Sequence, residues 1–188
     1  MSDVSTLARF SAAGGVHEIP LPAPVPGRLW ACGFSVVVHD PAEALSVIGA
    51  DTLVCLLERP EIERRSDRFA AWLDAPAPLQ AHWWPIEDHG VADDEITTRW
   101  TSILADDLAA GRRVVLHCGA GLGRTGQLAV LALGRLGIGL EQAIAHVRRH
   151  RPGAGPQSDE QLAQLLRLGR HHRIDRGDDI DGGDDIDG

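Results

Sequence analysis

A cysteine and an arginine stand six positions apart in a glycine-rich stretch in the second half of the chain. They are Cys118 and Arg124, and the residues between them are Gly119, Ala120, Gly121, Leu122 and Gly123. The backbone N–H groups of such a loop can converge on a dianion, and the arginine can bind two of its oxygens bidentately. The same positive field favours the thiolate of Cys118, which is the nucleophilic form of cysteine. The spacing therefore predicts a phosphate site with a cysteine nucleophile.

Two polar residues flank this pair. The Thr125 hydroxyl, directly after the arginine, is expected to donate a hydrogen bond to the sulfur of Cys118. Such a bond would stabilise the thiolate and later assist its departure from a phosphocysteine intermediate. His117 directly precedes the cysteine and is expected to brace the loop, because a thiol that is already ionised needs no general base.

Three other interpretations of this loop are weaker. Residues 121–126 also fit the G-x-G-x-x-G pattern of dinucleotide-binding loops, but everything after Leu140 is predicted to be helix or tail, so a Rossmann unit lacks its second strand. A Walker A loop would end in a Lys-Ser or Lys-Thr pair, and this glycine run does not. A purely structural buried cysteine would leave Arg124 and Thr125 unexplained.

Residues 117–126, HCGAGLGRTG, resemble the H-C-x-x-G-x-x-R-[ST] signature of cysteine-dependent protein tyrosine and dual-specificity phosphatases. Residues 84–90, WPIEDHG, are similar to the mobile loop that carries the general acid in that family. Residues 152–158, PGAGPQS, lie where the family often has a water-positioning glutamine, which implies this role for Gln157. The resemblance covers roughly residues 15–170 and is nearest to the kinase-associated phosphatase branch. It implies a phosphomonoesterase, and we expect neither a cofactor nor a metal.

The chemistry also calls for a general acid. Expulsion of an alkoxide or phenoxide from phosphorus is slow without a proton, and a positioned carboxylic acid typically contributes about 10²–10⁴-fold. Asp88 is expected to supply this proton, with Glu87 as its rival. The tyrosine phosphatases with a contiguous Trp-Pro-Asp differ from this segment by two inserted residues, so both carboxylates stay candidates. Asp93 and Asp94 better suit the cap and first turn of the next helix.

Periodicity and turn residues predict the elements that must position these groups. The predicted strands lie at residues 16–21, 28–34, 52–57, 79–84 and 112–116, and the predicted helices at 40–49, 63–73, 95–110, 127–136 and from 158 onward. This alternation predicts a single three-layer α/β domain whose central, mostly parallel sheet of about five strands is flanked by helices. The cysteine loop then falls at the carboxyl end of a strand, where open sheets bind ligands.

Composition agrees with one domain followed by an acidic tail. The chain has 188 residues, 44% of them hydrophobic, which is ordinary for a globular protein. We assign residues 15–172 to the phosphatase domain, residues 1–14 to a flexible N-terminal segment and residues 173–188 to a disordered tail. Residues 175–188 contain seven Asp and one Arg and repeat GDDIDG, so they carry −6 of the net charge of −9.

Several sequence patterns indicate the cellular compartment in which the protein is expected to work. No leader peptide and no apolar run of about 18 residues is present, so a cytoplasmic protein without a membrane partner is expected. The cysteines, Cys32, Cys55 and Cys118, are odd in number and widely spaced, which suits a reducing compartment. Cys55 lies in an apolar run and is expected to be a core thiol, with a redox partnership with Cys118 left open.

Other polar clusters are expected to be solvated surface. His146 and His150 stand four apart on a predicted helix, a spacing that suits zinc, but no third ligand accompanies them. Arg148, Arg149 and Arg151 form a basic cluster that is expected to be a solvated helix face, with attraction of a phosphorylated substrate as the alternative. Nucleic-acid binding is not expected, because no basic stripe with interleaved aromatic residues appears.

These patterns together predict a protein phosphatase acting on phosphorylated proteins. It is expected to hydrolyse phosphotyrosine and also phosphoserine or phosphothreonine through a phosphocysteine intermediate. The chain contains no Tyr, whereas the resemblance gives strict phosphotyrosine enzymes a tyrosine-bearing recognition loop. A phosphoinositide or inositol-phosphate phosphatase is the enzymatic alternative, although its relatives tend to have lysines in the loop where this chain has neutral residues. A phospho-binding module without turnover would require loss of the cysteine, the arginine or the acid.

Overall fold

The computed structural model describes residues 15–174. The predicted N-terminal segment, residues 1–14, and residues 175–188 of the predicted tail lie outside the described residues. Residues 173 and 174, which we had assigned to the tail, belong to the last helix. Within the described range, no helix combines the length and the apolar character needed to cross a membrane.

Five strands and eight helices make up the described part of the chain. The strands are β1 (Val16–Ile19), β2 (Arg28–Gly33), β3 (Thr52–Cys55), β4 (Gln80–Trp83) and β5 (Arg113–Cys118). The helices are α1 (Phe34–Val37), α2 (Pro41–Ile48), α3 (Arg59–Glu63), α4 (Asp67–Asp74), α5 (Asp94–Ala109), α6 (Gly123–Arg135), α7 (Leu140–His150) and α8 (Asp159–Ile174).

The strands form one sheet in the order β1-β2-β5-β3-β4. Strand β1 pairs antiparallel with β2, and the other three pairings are parallel. Strand β5 is central, with Cys118 opposite Gly33 of β2 and His117 opposite Cys55 of β3. The predicted α/β fold with a mostly parallel sheet is confirmed, and the carboxyl ends of three neighbouring strands meet at the cysteine.

The core lies on both faces of this sheet. All four residues of β3 and five of the six residues of β5 are buried, so neither strand alternates between buried and exposed positions. Continuous burial of this kind requires a helical layer on each face of a parallel sheet. The predicted three layers follow, and they hold the strand that ends at Cys118 rigidly in the middle of the domain.

Local chemistry explains both ends of α2. The Asp40 side chain accepts a hydrogen bond from the N–H of Glu43 at 2.9 Å, and Pro41 occupies the first turn of α2. Gly49 ends that helix at φ 82°, a left-handed conformation that glycine adopts without strain. The predicted boundaries of this helix are confirmed.

Three helices differ from the sequence prediction. The helix predicted for residues 63–73 begins too early, because Ser66 caps α4 by accepting a hydrogen bond from the N–H of Phe69 at 3.1 Å. Helix α3 has no predicted counterpart, and neither has α1, since its valines carry no helical periodicity. The Phe34 N–H donates to the carbonyl of Gly119 at 2.9 Å, so α1 begins directly against the cysteine loop.

Candidate active site

The cysteine loop connects β5 to α6. Cys118 is the last residue of the strand, and Arg124 lies in the first turn of the helix. Between them, Gly121 has φ 71°, and a Cβ there would collide with the carbonyl of Cys32 in β2. Its N–H donates to the Cys118 sulfur at 3.3 Å. Glycine is therefore required at this position both by the backbone conformation and by the close approach of β2.

Arg124 is almost fully buried, at 3% exposure, and its guanidinium group donates hydrogen bonds to three residues. Nη1 and Nη2 donate to the two carboxylate oxygens of Glu61 at 2.7 and 3.0 Å. Nη1 also donates to the carbonyl of Ile86 at 2.7 Å, and Nη2 to Oδ1 of Asp88 at 2.8 Å. Residues 84–93, between β4 and α5, are called the acid loop here. The arginine thus connects α3, the acid loop and the cysteine loop at one point.

Glu61 is a site residue that the sequence analysis missed. It lies in α3, and its carboxylate also accepts the N–H of Glu58 at 3.0 Å in a capping box. Burial opposes its ionisation, but the hydrogen bonds from Arg124 and from the Glu58 N–H outweigh it and hold the pKa of Glu61 below its usual value. Burial likewise opposes the charge of Arg124, yet its bonds to Glu61 keep the pKa of Arg124 above its usual range.

The acid loop brings one of its two carboxylates to the cysteine. Ile86 is buried, and its N–H donates to the carbonyl of Leu56 at 3.1 Å, which fixes the start of the loop to the end of β3. Asp88 then reaches back to Arg124 while its side chain stays 64% exposed. Glu87 points to solvent and is not among the residues that line the cavity at Cys118. The geometry favours Asp88 over Glu87 as the acid candidate.

A cavity of about 30 Å³ lies above the cysteine. Its walls are the loop residues Cys118, Ala120, Gly123 and Arg124 and, facing them, Asp88, His89, Gln157 and Gln161. A space of this size holds one or two water molecules. The candidate nucleophile, arginine, acid and water-positioning glutamine therefore face one small common space.

Gln157 enters the site together with a second glutamine. The side-chain oxygens of Gln157 and Gln161 both lie 3.0 Å from where a Cβ of Gly123 would stand, so glycine leaves room for them at the start of α6. Gln161 Oε1 accepts the N–H of Gln157 at 2.9 Å. Gln161 is a second site residue that the sequence analysis missed, because nothing in its local sequence shows that it faces the cavity.

His117 and Thr125 are buried beside the loop. Burial, together with the charge of Arg124, lowers the pKa of His117 to about 4, so its ring is neutral, and it stacks on Phe34 at 5.7 Å between centroids. The predicted hydrogen bond from Thr125 to the sulfur is not formed in this structure, so this role of Thr125 stays a prediction. Thr125 Oγ1 has no hydrogen-bond partner among the described residues, and the sulfur accepts the N–H of Gly121.

Arg151 corrects another expectation. We had placed it on a solvated helix face, but only 2% of it is exposed and it lies behind the cysteine loop. Its guanidinium donates to the carbonyl oxygens of Gly121, of Ala120 at 3.0 Å and of Gly15 at 3.2 Å. Bonds to loop carbonyls from behind favour peptide orientations that leave the opposite N–H groups facing the cavity.

The remaining cysteines and histidines have structural surroundings. Burial raises the pKa values of Cys32 and Cys55 to about 12, so both are neutral thiols. His146 contacts the carbonyl of Pro20 at 2.7 Å, and His17 contacts that of His150 at 3.0 Å, contacts that join α7 to the β1 region. Over residues 15–174 there is no cluster of three or more His, Cys, Asp or Glu side chains that could hold a metal.

Sequence comparison finds one family and several partial relatives. The family profile described as "Swiss Army Knife protein, DSP-PTPase phosphatase domain" matches residues 24–175. Human protein tyrosine phosphatase type IVA 3 is 37% identical over 73 residues, which are 38% of this chain and 42% of that protein. A probable type IVA A phosphatase of Dictyostelium discoideum is 32% identical over 78 residues, 40% of this chain and 47% of its own. The chain thus spans less than half the length of these two relatives.

Comparison with solved structures finds the same fold. Kinase-associated phosphatase, in a variant with serine for its catalytic-site cysteine, aligns with TM-score 0.68 and 24% identity, over 84% of this chain and 95% of the other. PTPMT1 in complex with PI(5)P aligns with TM-score 0.68 and 14% identity, over 86% and 98%. At these identities the likeness shows a shared architecture.

Proposed function

Because the chain belongs to the DSP-PTPase phosphatase domain family, we propose that it hydrolyses phosphotyrosine and phosphoserine or phosphothreonine on proteins through a phosphocysteine intermediate. One observation carries the proposal. Cys118, Arg124, Asp88 and Gln157 line a single small cavity at the carboxyl end of the central strand. These are the nucleophile, the phosphoryl-binding cation, the acid and the water-positioning group that the reaction needs.

In the first step the phosphoryl group of the substrate replaces Asp88 as the hydrogen-bond acceptor of Arg124 Nη2. The Asp88 carboxylate lies 2.8 Å from Nη2, so an incoming phosphoryl group competes for that donor and releases the carboxyl towards the leaving oxygen. The Cys118 thiolate attacks phosphorus, the bond from phosphorus to the ester oxygen breaks, and the Asp88 proton passes to that oxygen. Arg124 binds the equatorial oxygens as their charge grows.

In the second step water replaces the leaving group. Gln157 holds it opposite the phosphocysteine, and the Asp88 carboxylate takes its proton as the new bond to phosphorus forms. The Cys118 thiolate leaves with the electrons of the bond to phosphorus, and inorganic phosphate is released. Thr125 Oγ1, which has no partner among the described residues, is the group we assign to receive the departing sulfur through a hydrogen bond.

The mouth of the cavity supports dual specificity. Asp88 and His89 line the cavity at 64% and 68% side-chain exposure, and this open rim is compatible with short phosphoserine or phosphothreonine side chains as well as with phosphotyrosine. The full chain has no Tyr to build a deeper rim. The loop residues beside Cys118 are neutral, which favours a single phosphoryl group over the several phosphates of an inositol phosphate.

A substrate panel on one purified preparation tests this proposal. We expect turnover of phosphotyrosine and phosphothreonine peptides with kcat/KM values within about 100-fold of each other, because one site with an open rim serves both. Phosphoinositides presented in vesicles should be slower than either peptide. Preferred hydrolysis of the phosphoinositide would show that the protein is a lipid phosphatase. Phosphate binding without turnover would show that it is a phospho-binding module.

Asp88→Asn is expected to lower kcat for a phosphotyrosine peptide by about 10²–10⁴-fold, because the departing phenoxide then lacks its proton. The loss for an activated aryl phosphate should be much smaller, since that leaving group needs little protonation. Glu87→Gln is the matched control, an exposed neighbour outside the cavity, and should keep both rates. The reverse pattern would assign the acid to Glu87, and equal losses in both variants would indicate that loop closure had been disturbed.

A further inference from the structure

One face of α8 carries a row of polar side chains that the proposed reaction leaves without a function. Gln161, Gln164 and Arg167 stand three residues apart in the first turns of α8, and Ser158 directly precedes the helix. We call these four residues the α8 row. Gln161 and Gln164 are each only 1% exposed, which is unusual for glutamine on the face of a helix.

The α8 row binds the part of the acid loop that follows Asp88. Ser158 Oγ donates to the carbonyl of His89 at 2.7 Å, and Gln161 Nε2 to that of Gly90 at 3.1 Å. Gln164 Nε2 donates to the carbonyl of Ala92 at 2.6 Å and to Oδ1 of Asp94 at 2.8 Å. Arg167 completes the row with two bonds of 3.0 Å to the Asp94 carboxylate.

Gln164 also connects this row to the helix that carries Arg124. Its Oε1 accepts a hydrogen bond of 2.7 Å from Nε2 of Gln127, which is completely buried in α6. Gln164 therefore uses both donors and its acceptor in an enclosed space, where an amide left without partners is costly. It is the residue at which α6, α8 and the acid loop meet.

The acid carboxylate lies between two such anchors. Before it, Ile86 is held by its N–H bond to Leu56 and by the bond from Arg124 to its carbonyl. After it, His89 is held by Ser158 and has φ 61°, a left-handed conformation that is uncommon for a residue other than glycine. Only Glu87 and Asp88 separate the anchors. The position of the Asp88 carboxyl group therefore depends on where the returning limb of the acid loop, residues 89–93, is fixed.

We propose that Gln164 is a positioning residue for the general acid, because it fixes the returning limb of the acid loop to α6, which carries Arg124, and to α8, which Gln157 precedes by two residues. This inference rests on the proposed function, in which Asp88 protonates the leaving group. Gln164 touches neither substrate nor cavity. It acts through the backbone of Ala92 and the side chain of Asp94.

Gln164→Met tests the proposal, since methionine has a similar length but donates no hydrogen bond. We expect kcat for a phosphotyrosine peptide to fall about 10-fold or more, a part of the full general-acid contribution. For an activated aryl phosphate, kcat should change by less than about twofold, and KM for both substrates should stay similar. A residue that only stabilised the fold would not change the ratio of these two rates.

Leu165→Ala is the matched control. Leu165 is the next residue of α8 and is fully buried in the core, so its truncation destabilises the same helix without removing a bond to the acid loop. Gln164→Glu is a second test variant, because it keeps the acceptor for Gln127 and places a carboxylate beside that of Asp94. It should show the same selective loss as Gln164→Met, whereas Leu165→Ala should leave the rate ratio unchanged.

Amide hydrogen exchange gives a readout that does not depend on turnover. Exchange over residues 87–93 should be faster in Gln164→Met than in both the parent and Leu165→Ala. Unchanged exchange in this segment, or a rate ratio that falls equally in Leu165→Ala, would overturn the proposal. A parent protein that hydrolyses none of the substrates would instead contradict the proposed function, and exchange would still decide whether Gln164 holds the loop.

Discussion

Cys118→Ser is expected to abolish turnover while leaving phosphate binding close to that of the parent. Loss of a catalytic nucleophile costs on the order of 10⁵–10⁶-fold in kcat. The serine hydroxyl is nearly the size of the thiol but is not ionised at neutral pH, whereas Arg124 and the loop N–H groups stay in place. Initial rates with a phosphotyrosine peptide measure the first quantity, and calorimetric titration with inorganic phosphate measures the second.

Cys55→Ala is the control for this result. Its thiol lies at the end of β3, opposite His117, and burial raises its pKa to about 12, so it is not a competent nucleophile. The variant should keep the rate of the parent at the cost of some stability. Substantial turnover by Cys118→Ser, or its loss in Cys55→Ala, would show that the nucleophile had been assigned to the wrong thiol.

Arg124→Lys should lower kcat by about 10³–10⁵-fold, comparable with the loss of an arginine that stabilises transferring phosphoryl groups in other enzymes. An ammonium group cannot bind two phosphoryl oxygens in a plane, and it cannot bridge the carboxylates of Glu61 and Asp88 as the guanidinium does. Stability should fall as well, by about 1–3 kcal/mol, because Glu61 loses a charged hydrogen bond. Rates and urea unfolding measure the two effects.

Glu61→Gln separates the two contributions of this arginine. The amide still accepts one hydrogen bond from Arg124, so the guanidinium stays in the loop but is held less firmly. We expect an intermediate loss of kcat and a smaller loss of stability than in Arg124→Lys. If Arg124→Lys kept a near-normal kcat, the arginine would have a structural function only.

The centre of the site was predictable because its parts are contiguous. The stretch 117–126 contains the end of a strand, a loop that requires glycine and the first turn of a helix, so its local geometry follows from the order of its residues. Helix caps such as Asp40 were predictable for the same reason, since a cap and the N–H group that it accepts lie three residues apart. The alternation of strands and helices then led to the parallel sheet.

The interactions that hold this centre in place were not predictable. Glu61 meets Arg124 across 63 positions, Arg151 meets the loop carbonyls across about 30, and Gln164 meets Ala92 across 72. In the sequence Glu61 is one of several acids outside the predicted strands and helices, Arg151 one of three clustered arginines and Gln164 one polar residue in the last predicted helix. Nothing local distinguishes these residues from their solvated neighbours.

The sequence by itself therefore determined the candidate nucleophile, the phosphate loop and the fold class, because these depend on residue type, short spacing and periodicity. Only the tertiary structure decided which of two adjacent carboxylates faces the cysteine, which arginine binds the back of the loop and which glutamine fixes the acid loop. The physical reason is that these contacts join side chains brought together by strand order and helix packing. Their energies depend on burial and on partners far along the chain, which no local pattern contains.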